Sequence, residues 1–244
     1  MFDPTRQETP APFFEVRDIS LSLGGQTILD RISFEINEGG IVGLIGPNGS
    51  GKTSLMEAVA GFASPQHGEI RWRGCAPAPR LLKEHLFYLP DGVRPCADHL
   101  TRDVLHLFQI AFDQPEARLS ELVQALGLQG SLGKRVGTLS KGLAKRLLLA
   151  LGMLTRAPLL LFDEPLDGLD LHQVAVVRAL ALRLRDENRT LLLSIHELSL
   201  AERLCESFIL LAEGRVIASG DLAALRARAG VKEGGLDAVF LALT

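Results

Sequence analysis

Ile41-Val42-Gly43-Leu44-Ile45 runs directly into Gly46-Pro47-Asn48-Gly49-Ser50-Gly51-Lys52-Thr53. The first five residues are an unbroken apolar run, the composition of a strand buried on both faces. The next eight fit the spacing GxxxxGK[ST], and a helix is expected from Lys52 to about Ala60, stopped by Gly61. Glycines at these positions let the backbone curl so that its N–H groups point inward at phosphate oxygens. The start of the helix adds a favourable dipole. Lys52 can reach the outer phosphates and the Thr53 hydroxyl can ligate Mg²⁺. A tight turn that only caps a helix is the plain alternative, and the strand-loop-helix setting argues against it. The candidate nucleotide contacts are therefore Gly46, Pro47, Asn48, Gly49, Ser50, Gly51, Lys52, Thr53 and the adjoining Ser54.

Upstream of this loop, residues 13–23 and 28–36 read as strands, with Gly24-Gly25 as the turn between them. Downstream, residues 68–73 read as a strand leading into a loop with Pro77 and Pro79. The middle, about 98–132, reads helical. Leu100, Val104, Leu107 and Ile110 recur at helix spacing, as do Leu119, Leu122, Val123 and Leu126. A helix is expected from Lys141 to about Thr155, then two buried strands at 159–163 and 190–195. The helix between those strands carries Leu171, Val174, Val177, Ala181 and Leu184 on one face. Strand, helix, strand in that order implies a parallel sheet with right-handed crossovers. A hairpin turning at Glu213-Gly214 and two short helices, about 221–244, complete the chain.

Asp163 and Glu164 end the strand Leu159-Leu160-Leu161-Phe162. The carboxyl ends of strands in an open α/β sheet are where ligands bind. Asp163 there can hold Mg²⁺, directly or through water, and Glu164 can orient or deprotonate an attacking water. His196 ends the strand 190–195. A histidine at a strand end is usually structural; beside these groups it could contact a γ-phosphate.

With these residues in hand, the chain resembles the ATPase subunit of ATP-binding cassette (ABC) transporters over roughly residues 13–244. Leu139-Ser140-Lys141-Gly142-Leu143 is similar to the family's LSGGQ signature, and Leu166-Asp167-Gly168-Leu169-Asp170 to its D-loop. The resemblance implies an α/β P-loop NTPase core with a parallel sheet, an N-terminal antiparallel β subdomain and an inserted helical subdomain at about 92–140. It implies ATP as ligand and Mg²⁺ as cofactor, with Lys52, Glu164 and His196 as the catalytic set. Thr53, Asp163 and Asp91 would be metal contacts. Ser140 and Gly142 would bind the γ-phosphate held by a second ATPase subunit, and Asp170 would complete the shared site. The resemblance also implies a separate transmembrane permease as partner and a peripheral place on the cytoplasmic face of the cell membrane. Residues 139–142, 194–205, 213–230 and 236–244 look like the branch that exports drugs, peptides, polysaccharides or lipids. An ABC ATPase that powers a membrane-bound mechanical or assembly machine is the alternative.

Four positions depart from the family pattern. Asp91 stands where a glutamine is usual, after Phe87-Tyr88-Leu89-Pro90. Leu23 stands where an aromatic usually stacks on adenine. Lys141 and Leu143 replace a glycine and the glutamine of the signature.

Bulk composition agrees with this reading. The 244 residues suffice for one large domain or a core with a small inserted subdomain. Hydrophobic residues make up 47% and charged residues 23%, the balance of a folded globular chain. A net charge of −3 speaks against nucleic acid as partner, which selects basic surfaces. Cys75, Cys96 and Cys205 are far apart and form no metal-binding pattern, which suits a reducing compartment. No apolar run approaches the roughly 20 residues of a membrane span. Residues 1–12 read as a loose extension rather than a signal peptide.

Overall fold

The computed structural model describes residues 12–77, 82 and 84–244. The expected extension at 1–12 falls, but for Pro12, outside the described residues, as does Pro79 of the expected loop.

The fold is a mixed α/β P-loop architecture with two sheets. Strands β1 (Phe14–Leu23), β2 (Gln26–Ile36) and β4 (His67–Trp72) form an antiparallel sheet in the order β2-β1-β4. Strands β3 (Ile41–Ile45), β5 (Leu86–Leu89), β6 (Leu159–Phe162), β7 (Thr190–Ile195), β8 (Ser207–Ala212) and β9 (Arg215–Gly220) form the second, in the order β5-β6-β7-β3-β8-β9. Its first five strands are parallel and β9 closes the edge antiparallel to β8. The Glu213-Gly214 turn joins β8 to β9 as expected. β5, only four residues long, has no periodic signal in the sequence; its neighbour β6 supplies the pairing that makes it a strand.

Apolar runs in β3, β6, β7 and β8 are buried on both faces, and the alternation sorts them into two cores. Ile41, Ile45, Leu160, Phe162, Leu191, Leu193 and Leu210 face one side, with the large helices. Val42, Leu44, Leu159, Leu161, Leu192 and Leu211 face the other, with the antiparallel sheet and helix α1 (Lys52–Val59). Burying such side chains on both faces contributes about 1.5–3 kcal/mol each, and it fixes the plane of the sheet against which the loops at its end are aimed.

Helices α2 (Thr101–Ala111) and α3 (Glu116–Ala125) and a short 3₁₀ turn at 129–131 occupy the stretch read as helical, and a second 3₁₀ turn follows at 136–138. Helix α4 (Lys141–Leu154) leaves them, and α5 (Leu171–Asp186) crosses from β6 to β7. Helix α6 (Leu198–Leu204), unforeseen in the sequence, follows β7; α7 (Leu222–Ala229) and α8 (Leu236–Leu243) end the chain.

Two faces differ from the periodicity reading. In α2 the buried side is Thr101, Val104 and Leu105, while Leu107 and Ile110 are exposed. Spacing alone cannot say which of two overlapping apolar stripes meets the body of the protein; packing against α4 selects one. Leu171, the first residue of α5, is likewise exposed, while Val174, Val177 and Leu184 of the same helix are buried.

Candidate active site

The loop between β3 and α1 is built by close approach. A Cβ at Gly46 would lie 2.2 Å from the Leu211 carbonyl oxygen and 2.6 Å from Ser50 Oγ, so no side chain fits there. Gly51, with φ +101°, precedes α1 in the left-handed region, where glycine is free of Cβ strain. The β8–β9 turn braces the loop: the Gly214 N–H donates to Ser50 O at 3.1 Å, and its carbonyl accepts from Asp30 N at 2.8 Å.

Three observations make this loop a cradle for anionic phosphate. No side chain caps the N-terminus of α1, so its first amides are not taken by a cap. The buried Lys52 ammonium lies inside the loop, donating to Gly46 O at 2.8 Å and Pro47 O at 3.0 Å. Burial pushes its pKa down, against the opposing pull of Glu164 and Asp163. Ser50 Oγ is buried without a hydrogen-bond partner, a polar atom of the kind a bound group satisfies.

The carboxylate side of the site comes from the ends of β6 and β7. Thr53 Oγ1 donates to Asp163 Oδ2 at 2.8 Å, joining helix α1 to the end of β6. Ser194 Oγ donates to Asp163 Oδ1 and accepts from the Glu164 N–H at 2.8 Å. Asp163 N also donates to Leu89 O at 2.9 Å, which extends the β5–β6 pairing to the site. Two hard oxygen ligands on adjacent elements, at the mouth of a phosphate cradle, suit Mg²⁺, which takes one or two carboxylate or hydroxyl ligands and leaves the rest to water and phosphate.

Glu164 is a non-glycine residue at φ +46°. Such a conformation costs of order 1–3 kcal/mol and persists only where surroundings impose it. Here the Ser194 hydroxyl holds its N–H, and Lys145 Nζ donates to its carbonyl at 2.7 Å. His196 Nδ1 stands 3.7 Å from Glu164 Oε1, an ion-pair distance rather than a hydrogen bond. Leu166, Asp167, Gly168, Ser194 and His196 line a small cleft with Glu164.

Asp91, expected as a metal contact, directs its carboxylate to Lys145 Nζ. Ser140 caps α4, its hydroxyl accepting from Leu143 N at 3.4 Å, and the residue is exposed. Gly142 sits in the first turn of α4, where a Cβ would come 3.2 Å from Gly168 O. Asp170 caps α5 in a reciprocal capping box with Gln173. Lys141 Nζ pairs with Asp167 Oδ2 at 2.6 Å; that hydrogen bond raises the lysine's pKa and lowers the carboxyl's. Leu23, at the β1–β2 turn, is half exposed. The structure thus brings Lys52, Thr53, Asp163, Glu164 and His196 together, whereas Ser140, Gly142 and Asp170 lie at helix starts. Sequence reasoning missed Ser194 and Lys145. Ser194 sits two residues before His196, on the strand beside β6, and that adjacency was its only signal.

A nucleotide loop, a strand-end Asp-Glu pair and a histidine on the neighbouring strand define an ATPase of the P-loop class. The chain belongs to the ABC transporter family, whose model matches residues 29–167. It is an ATP-binding subunit of that family, which hydrolyses ATP. It is 32% identical over 83% of its length to the Nod factor export ATP-binding protein I of Rhizobium etli, and spans 66% of that protein. It is 30% identical to the ABC-type transporter ATP-binding protein EcsA of Bacillus subtilis, with 94% of this chain and 95% of that one covered. A solved structure of an ATP binding subunit of an ABC transporter superposes with a TM-score of 0.85 at 28% identity, covering 95% of this chain and 99% of the other. Among the described residues no helix is long and apolar enough to cross a membrane.

Proposed function

We propose that this chain drives a separate transmembrane permease by ATP hydrolysis in a two-subunit sandwich at the cytoplasmic membrane face, for export. The observation that carries the reading is the hydrogen-bonded chain Thr53–Asp163–Ser194–Glu164, which ties the phosphate loop to two strand ends. Lys52 and the loop amides bind the β- and γ-phosphates of ATP. Thr53 and Asp163 hold Mg²⁺, which when bound neutralises phosphate charge. Glu164 orients the attacking water and takes its proton, and His196 contacts the γ-phosphate. Catalysis is then mainly charge stabilisation by preplaced groups.

Ser140 and Gly142 lie exposed or half-buried at the start of α4, where their amides can meet an ATP held by a second subunit. Asp170 belongs to the same shared surface. The stretch 92–140 acts as the arm that passes motion to the permease. The Nod factor export relative supports the export direction.

Glu164→Gln should bind ATP, accumulate as an ATP-dependent dimer and lose about a hundredfold or more in turnover. Parental hydrolysis, or a monomer in saturating ATP by sedimentation, would remove Glu164 from the base role.

A further inference from the structure

Lys145 carries no role in the reading above, yet among the described residues it is one of the few buried charged side chains. It projects from the second turn of α4. Its ammonium reaches two separate segments: the Asp91 carboxylate just past the end of β5, and the backbone carbonyl of Glu164 at 2.7 Å. Three elements therefore meet on one nitrogen. Lys141, one turn earlier on the same helix, adds a bond from α4 to Asp167 of the same loop.

A buried ammonium without a counter-charge is strongly disfavoured. Asp91 supplies that charge. A neutral residue at 91 would leave Lys145 with carbonyl oxygen alone. The left-handed backbone of Glu164 needs a donor to its carbonyl and an acceptor for its N–H; Lys145 supplies the first and Ser194 the second.

We propose that Lys145 is a positioning residue that fixes the Glu164 backbone to the Asp91 loop, with Asp91 as its obligate charge partner. The latch makes the placement of Glu164 depend on where α4 sits relative to β5. It rests on the reading of Glu164 as the water-activating group.

The test combines two readouts on the full chain. Thermal unfolding without nucleotide is measured for the parent, Asp91→Asn, Lys145→Met and the double variant. Each single change should lower Tm, and the double should lose clearly less than the sum, because it leaves no unpaired buried charge. Strictly additive losses overturn the pairing. Steady-state ATPase is then measured for Lys145→Met and for Lys145→Gln, which keeps an N–H donor without the charge. Lys145→Met should lose roughly 10- to 100-fold in kcat with KM within about threefold, and Lys145→Gln should retain kcat within about fivefold. Parental kcat in Lys145→Met, or equal losses in both variants, overturns the positioning role. Glu164→Gln, assayed alongside, reports on the base reading by itself: if it hydrolyses at the parental rate, that reading fails while the Tm cycle still decides the pair.

Discussion

At the scale of single residues, the site depends on side chains that share one another's hydrogen bonds. Ser194 is the clearest case. It is fully buried, donates to Asp163 and accepts from the Glu164 amide. Ser194→Ala leaves a buried carboxylate oxygen and a part-buried N–H short of a partner, at a cost of about 1–3 kcal/mol. For a chain of this size that is roughly a 3–9 °C drop in Tm, and turnover should fall about tenfold as Asp163 and Glu164 lose their fixed relation. An unchanged Tm with parental turnover would show that the shared hydroxyl is dispensable. Glycine and lysine of the loop, and the Asp-Glu pair, were legible because their chemistry demands those types at that spacing. Ser194 was not, because one serine among buried aliphatics has no spacing to mark it.

At the scale of elements, helix α4 starts in the signature segment and runs into the body of the protein. Ten of its fourteen residues are buried, so it is enclosed nearly all round. Its C-terminus ends inside the protein, and Arg189 on the lead-in to β7 closes it. That guanidinium donates to Met153 O at 3.1 Å, Ala157 O at 3.0 Å and Thr155 Oγ1 at 3.1 Å. Burial pushes the Arg189 pKa down to about 10, so the group stays charged at neutral pH, where it also opposes the negative end of the helix dipole. Arg189→Met frees the desolvation penalty but leaves the buried Met153 carbonyl, the part-buried Ala157 carbonyl and the Thr155 hydroxyl without this donor. The balance is a net loss of about 2 kcal/mol, or roughly 4–8 °C in Tm. Calorimetry of the variant checks this, and a Tm at or above the parent's would mean the cap is worth no more than its burial cost. The sequence showed α4 plainly; that an arginine 35 residues beyond its end caps it could only come from the folded chain.

For the whole molecule, the two sheets and α1 converge so that the phosphate loop, both strand-end acids and His196 open on the same end of the parallel sheet. Ser140 stands exposed with its hydroxyl occupied only by its own helix. If its place is opposite a second subunit's ATP, Ser140→Arg should abolish ATP-driven dimerisation and reduce turnover to background. ATP binding to the single subunit should stay within about threefold, since Lys52 is untouched. Sedimentation with and without ATP, paired with equilibrium binding, measures both; normal turnover in this variant would sink the shared site.

The residues by themselves determined the P-loop class, the parallel sheet, the nucleotide loop and the acidic strand end. Those features are local: backbone conformation, burial on two faces and phosphate chemistry each restrict residue type at fixed spacing. The partners of Asp91, the inward face of α2, the strand at 86–89 and the sharing of Ser194 were decided by tertiary structure. Each depends on which neighbour packs alongside, and a charge or hydroxyl takes its partner from the space it is folded into.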